Sequence, residues 1–209
     1  IGPGESCANE SGSTPVRLFS QDPEHFYAAQ SGWVSANGSA PNHQNGFVPA
    51  GAERQFALAQ GQDSVTVPFV WQGADGVQIR RTYTFKRGAY AVEVNDEVVN
   101  QGGKPWQGQV YRQLIRKPPV IKRGYTSPES FSFNGAAWYD GSYQRRKFDE
   151  DYLEDGHVNQ QAARGWIAML QHHFFSAWIP EGKQPSTISI DQPASGSLES
   201  ELGAPLAVA

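Results

Sequence analysis

The chain has 209 residues, of which 18% are charged, and its formal net charge is −4. Phosphate binding needs a concentrated basic face, whereas Arg80-Arg81, Lys122-Arg123 and Arg145-Arg146-Lys147 are short, scattered clusters that read as solvated strand ends. A nucleic-acid role is therefore disfavoured. The single cysteine, Cys7, excludes an internal disulfide and reads as an incidental thiol, since Glu5-Ser6 before it form no lipoprotein cleavage box.

With 22 glycines, 14 prolines and 12% aromatic residues, the chain reads as many strands joined by many turns. A chain of this length buries roughly 70% of its unfolded surface, so it holds a core without staples. The longest purely apolar run, Trp166 to Leu170, falls far short of the ~20 residues that span a bilayer. Ile1-Gly2-Pro3-Gly4 lacks a charged region followed by an apolar stretch, so it is not an intact signal peptide.

Residues 1–15 read as a flexible Gly/Ser/Pro-rich lead, and 16–209 as the folded domain. Asp22-Pro23-Glu24 suits the start of a helical turn, with Asp22 as its cap. His25 to Gln30 is ambiguous, and 35–53 reads as a long surface loop. Val65, Val67, Phe69 and Trp71 then alternate as on a strand. Gly73-Ala74-Asp75-Gly76 is a hairpin turn, because Asp-Gly adopts positive φ at little cost. Val77, Ile79, Arg81, Tyr83 and Phe85 line one face of a second strand. After the turn at Lys86-Arg87-Gly88, a third carries Tyr90, Val92, Val94 and Val98. These three form an antiparallel meander. A fourth strand covers Gln107 to Ile115 and ends at Pro118-Pro119. Phe131 and Phe133 mark another, Asp140-Gly141 a turn, and Asp149 to Asp155 a helical turn or loop. Trp166 to Ile179 is apolar on both alternating faces, which predicts one buried central strand stopped by Pro180, with a helix as the alternative. Thr187 to Ile190 is strand-like, and the rest of the tail is Gly/Ser/Pro-rich. No internal repeat is visible.

No nucleophile elbow, zinc-protease helix motif or phosphate-binding loop occurs. The members of a Ser/His/Asp triad meet only in space, and nothing in the sequence marks them. On a strand His172 and His173 point to opposite faces and do not chelate one metal. The acidic cluster Asp149, Glu150, Asp151, Glu154, Asp155 and His157 lacks the alternating ligands and central glycine of a calcium loop, and reads as a solvated loop. Paired carboxylates carry little weight among 21 acidic residues. Trp106, Trp138, Tyr139 and Tyr143 are the rings that, if exposed, would stack on sugars or peptides; core packing is the plainer expectation for most of them. No catalytic, cofactor-binding or metal residue is assigned, and the partner-binding surface is unknown at this point.

The run Gly165-Trp166-Ile167-Ala168-Met169-Leu170-Gln171-His172-His173-Phe174-Phe175-Ser176-Ala177-Trp178-Ile179-Pro180 resembles the signature segment of the large periplasmic domain of Gram-negative YidC-type membrane protein insertases. In order along the chain, Tyr27 to Gly32, Tyr83 to Val94, Phe133 to Trp138 and Lys147-Phe148-Asp149 resemble further elements of that family. Together they span roughly residues 16 to 190.

The resemblance implies a mainly all-β fold, a β-supersandwich of galactose-mutarotase-like type with few short helices, on the periplasmic face of the inner membrane. It implies a fragment of a longer membrane protein that aids the insertion and folding of inner-membrane proteins, with or without the Sec translocon and its SecDF accessory. In that family the insertase work belongs to a transmembrane core, so nascent membrane proteins would meet a part that is not in this chain. The expected module is no enzyme, needs no metal or cofactor, binds no nucleic acid and is monomeric in isolation. The alternative is a carbohydrate-binding or epimerase-like β-sandwich. Mutarotases need a His general acid and a carboxylate base in one cleft, and no positions here match those motifs.

Overall fold

The computed structural model describes residues 17–118, 133–147, 156–171, 173–182, 185–191 and 198–208. Among these, strands and connecting loops account for the whole chain and no helix forms. The described residues divide into two compact units, residues 33–108 with 207–208 and residues 17–32 with 109–206.

The first unit is built on the meander. Strands β2 (Val48–Pro49), β3 (Ser64–Gln72), β4 (Val77–Lys86) and β5 (Val92–Asn100) pair in the order β2-β3-β4-β5. The β3–β4 turn closes with the Gly73 amide donating to the Val77 carbonyl at 2.8 Å. Gly76 there adopts φ +88°, and a Cβ would lie 2.8 Å from the Gly102 backbone nitrogen, so both conformation and space demand glycine. Register sets Phe69, Arg81 and Asp96 in one row across the sheet, and Trp71, Ile79 and Val98 in the next. Val77 and Ile79 are fully buried, while Phe85, Val92 and Tyr90 at the far end are exposed. Tyr90 precedes β5 and is not part of it.

Arg81 is 3% exposed although it is charged. Its guanidinium donates to both Asp96 carboxylate oxygens, at 2.7 and 2.6 Å, and lies 4.4 Å from the Phe47 ring centroid. The Trp33 indole N–H donates to the same carboxylate at 2.8 Å. Burial works against the guanidinium's charge, but hydrogen bonds and attraction from Asp96, with help from Tyr83, hold its pKa above the ordinary value.

The second unit holds two sheets. Strands β1 (Tyr27–Ser35) and β6 (Trp106–Arg116), most of whose residues belong to this unit, join β9 (Val158–Ala162), β12 (Ser186–Asp191) and β13 (Leu198–Val208) in the order β1-β6-β13-β12-β9. The other sheet runs β11-β10-β7-β8, with β7 (Gly135–Tyr139), β8 (Tyr143–Lys147), β10 (Trp166–Gln171) and β11 (Phe174–Trp178). One buried cluster draws Tyr27, Leu114, Ile188 and Ile190 from the first sheet and Trp138, Ile167 and Met169 from the second. The two sheets thus form a β-sandwich around a shared core.

Several expectations change here, among them the long loop read over 35–53, which contains β2. Trp166 to Ile179 is a hairpin and not one strand. β10 is central and buried, whereas β11 is an edge strand whose Phe175 is 65% exposed. The Asp22 segment forms a tight turn in place of a helix start: the Glu24 amide donates to the Asp22 carboxylate at 2.9 Å, and the His25 amide to the Asp22 carbonyl at 3.0 Å. β1 begins two residues later and turns the ambiguous Tyr27 stretch into a strand. The tail after Ile190 contributes β13, paired antiparallel to β12. Phe133 is described and lies outside any strand; Phe131 and the acidic stretch Asp149 to Asp155 lie outside the described residues.

Candidate functional site

The aromatic candidates separate into structural and exposed sets. Trp106 is buried, with its ring 5.8 Å from Trp33 and its indole N–H donating to the Ser39 carbonyl at 3.2 Å. Trp138 is buried in the sandwich core and donates to Asp140 at 3.3 Å. Tyr139 and Tyr143, in contrast, are exposed and flank the turn of the β7–β8 hairpin. Both face Trp166: the Tyr139 ring stacks near-parallel to it at 6.3 Å and 13°, and the Tyr143 ring tilts against it at 6.0 Å.

Register explains this grouping. Trp166 lies opposite Tyr139, and Tyr139 opposite Tyr143, so all three side chains share one face at the end of the sheet. Gly165 permits the approach. A Cβ there would sit 3.0 Å from the Tyr139 carbonyl and 3.0 Å from the Ala162 side chain. The result is an open hollow of about 490 Å³ lined by Tyr139, Arg164, Trp166, Ile179 and Pro180. A smaller hollow of about 70 Å³ shares Arg164, Gly165 and Pro180, and adds Val110 and Ser186. No run in the sequence signals this site, because its members come from β7, the β9–β10 loop, the start of β10 and the chain after β11.

The charged candidates do not converge. Arg80 is exposed opposite Glu97, as expected of a solvated position, but its neighbour Arg81 is the buried ion-pair member described above. Arg145 stacks over the Phe133 ring at 4.9 Å, and Arg146 donates to the Gly156 carbonyl. His173 is exposed at the β10–β11 turn, and His157 is exposed before β9. His172, Lys122, Arg123, Cys7 and the acidic cluster from Asp149 to Asp155 lie outside the described residues. Among the described residues, no group of three or more His, Cys, Asp or Glu side chains comes together to hold a metal.

Two buried polar groups in the second unit have architectural roles. Burial lowers the Arg116 pKa, and the nearby Tyr27 phenol opposes that shift; the guanidinium lies 5.1 Å from the Tyr27 ring centroid. Burial also raises the Tyr27 pKa, opposed by its hydrogen bond with Ser176 and by Arg116. Trp178 is half-buried against the core and donates its indole N–H to the Gln113 carbonyl at 3.1 Å.

These features define an all-β sandwich with an open hollow beside exposed aromatic rings. The chain belongs to the YidC periplasmic domain family, whose model matches residues 7–204. It is 49% identical over 183 residues to the membrane protein insertase YidC of Xanthomonas euvesicatoria pv. vesicatoria, covering 87% of this chain and 32% of that protein. Identity to the protein of the same name from Stenotrophomonas maltophilia (strain K279a) is 49% over 203 residues, covering 96% of this chain and 35% of the relative. With that of Xanthomonas oryzae pv. oryzae (strain PXO99A) it is 50% over 177 residues, covering 84% and 30%. The chain thus spans about a third of the length of these relatives. The family assignment bears out the resemblance in the signature run and places the chain on the periplasmic side of the inner membrane. It gives no support to the carbohydrate-binding or epimerase alternative. Among the described residues, no helix is long and apolar enough to cross a membrane.

Proposed function

We propose that this chain is the non-catalytic periplasmic module of a membrane protein insertase, acting by contact and spacing. The observation that carries this reading is the family match over residues 7–204, joined to relatives named as membrane protein insertases. The side-chain chemistry supports it. Arg81 and Asp96 are spent on each other and on Trp33, and Asp140 accepts from Trp138 and Ser142. On this reading the parent protein aids insertion and folding of inner-membrane proteins, with or without the Sec translocon and SecDF. Residues 16–209 act as one domain beside a transmembrane core that handles the client.

Photo-crosslinkers placed singly at Tyr90, Tyr143 and Phe175 in the full-length parent test this in cells. At least one site should yield a defined adduct with a Sec component. Saturable acceleration of aldose anomer exchange by the purified chain, abolished by changing one histidine, would instead establish an enzyme.

A further inference from the structure

The outward face of the β11-β10-β7-β8 sheet carries a composition that the core does not explain. Strand pairing places Tyr143, Arg145 and Lys147 of β8 on the same face as Tyr139 of β7, Trp166 of β10 and Phe175 of β11. The opposite face supplies Trp138, Ile167 and Met169 to the core. Small residues form the middle of the outward face, where Ala137 and Ala168 are buried, and larger groups surround them. Tyr143 is 54% exposed, and Ile179, just past β11, is 68% exposed. Arg145, Lys147 and Arg164 are exposed, and Arg164 lines the hollow beside Trp166.

No acidic residue occupies this face of the four strands, although the chain has 21 acids and a net charge of −4. Asp140 lies beyond the strand ends and is engaged by Trp138 and Ser142, and Glu181 lines the smaller hollow together with Arg164. Tyr and Trp rings, whose bodies are apolar and whose tips are polar, seat at a membrane–water boundary. Cations beside them add attraction to anionic headgroups. A protein interface of this kind would be depleted in lysine.

We propose that this face docks on an anionic lipid surface, with Tyr139, Tyr143, Trp166 and Ile179 in the headgroup region and Arg145, Lys147 and Arg164 pairing with lipid phosphates. The inference goes beyond the functional reading above and rests only on the family's place beside a membrane.

The test is sedimentation of the 209-residue chain with vesicles of phosphatidylglycerol and phosphatidylcholine in equal parts, against phosphatidylcholine alone. The chain should pellet with the anionic vesicles and stay in solution with the neutral ones. Replacing Arg145, Lys147 and Arg164 together by Gln should weaken binding on the order of a hundredfold. A matched set, Arg17→Gln, Arg54→Gln and Lys104→Gln, removes the same charge from exposed positions elsewhere and should change binding less than threefold or so. Tyr143→Ser with Ile179→Ser should also release the chain, while circular dichroism and melting stay near those of the parent.

Equal loss in both charge sets would reduce the effect to net charge and overturn the proposal. So would failure of the unaltered chain to pellet. Capture of an extended apolar peptide, lost in the Tyr143/Ile179 variant while vesicle binding is kept, would assign the face to polypeptide instead.

Discussion

The Arg81–Asp96 pair supplies the sharpest test of how the first unit is held together. Asp96→Asn keeps the side chain's shape and leaves a carbonyl oxygen to accept the Trp33 indole N–H, now at 2.8 Å. It removes the countercharge from a guanidinium that is only 3% exposed. A buried charge stripped of its partner costs about 3–5 kcal/mol, which for a chain of this size lowers the melting temperature by roughly 6–20 °C. The second variant, Arg81→Met with Asp96→Asn, removes both charges. A methionine packs on the Phe47 ring that the guanidinium now covers at 4.4 Å. Most of the lost stability should return, because replacing a buried pair by apolar groups is often near neutral. Urea unfolding followed by tryptophan fluorescence measures both, with an unchanged slope showing that only stability moved. A cost below about 1 kcal/mol for Asp96→Asn, or a double variant no better than the single, would refute the view that burial makes this pair interdependent.

Trp178→Ala removes a half-buried ring and the donor to the Gln113 carbonyl, and should cost about 3 kcal/mol in urea unfolding. Gly165→Ala places a methyl 3.0 Å from the Tyr139 carbonyl; it should cost roughly 1–3 kcal/mol and alter the fluorescence of Trp166. Burial raises the Tyr27 phenol pKa. Its contribution is therefore complete below about pH 10, the unfolded value, and is lost as pH rises through the higher folded value. Stability against urea should fall on alkaline titration, and Tyr27→Phe should flatten that fall. Melting with and without a strong chelator should coincide; a drop of several degrees would reveal a structural ion.

The meander was legible because its alternation is strong and its turns carry Asp75-Gly76 and Gly88, both glycines at positive φ. β6 was also legible, extending one residue beyond each expected end. β1, β7 and β9 were not, since Tyr27–Ser35, Gly135–Tyr139 and Val158–Ala162 are rich in Ala, Gly, Ser and Gln. Pairing with neighbours, and not propensity, makes them strands. The β10–β11 hairpin was hidden because Gln171 pairs with Phe174 across a His-His connection, which lacks the Gly or Asn that signals a two-residue turn. Apolar residues on both faces of β11 suggest burial, yet an edge strand can leave Phe175 in water. The aromatic hollow lay beyond sequence reasoning because strand register, and not spacing, brings Tyr139, Tyr143 and Trp166 together.

The most direct test of a non-catalytic, contact-based role removes this module from the full-length parent and measures insertion of a Sec-independent membrane protein into reconstituted vesicles, with co-purification of Sec components from cells read in parallel. The shortened parent should retain insertion while its yield of Sec partners falls. Loss of insertion in a shortened parent that still folds and reaches the membrane would contradict the proposal and place a working part of the insertase in this chain.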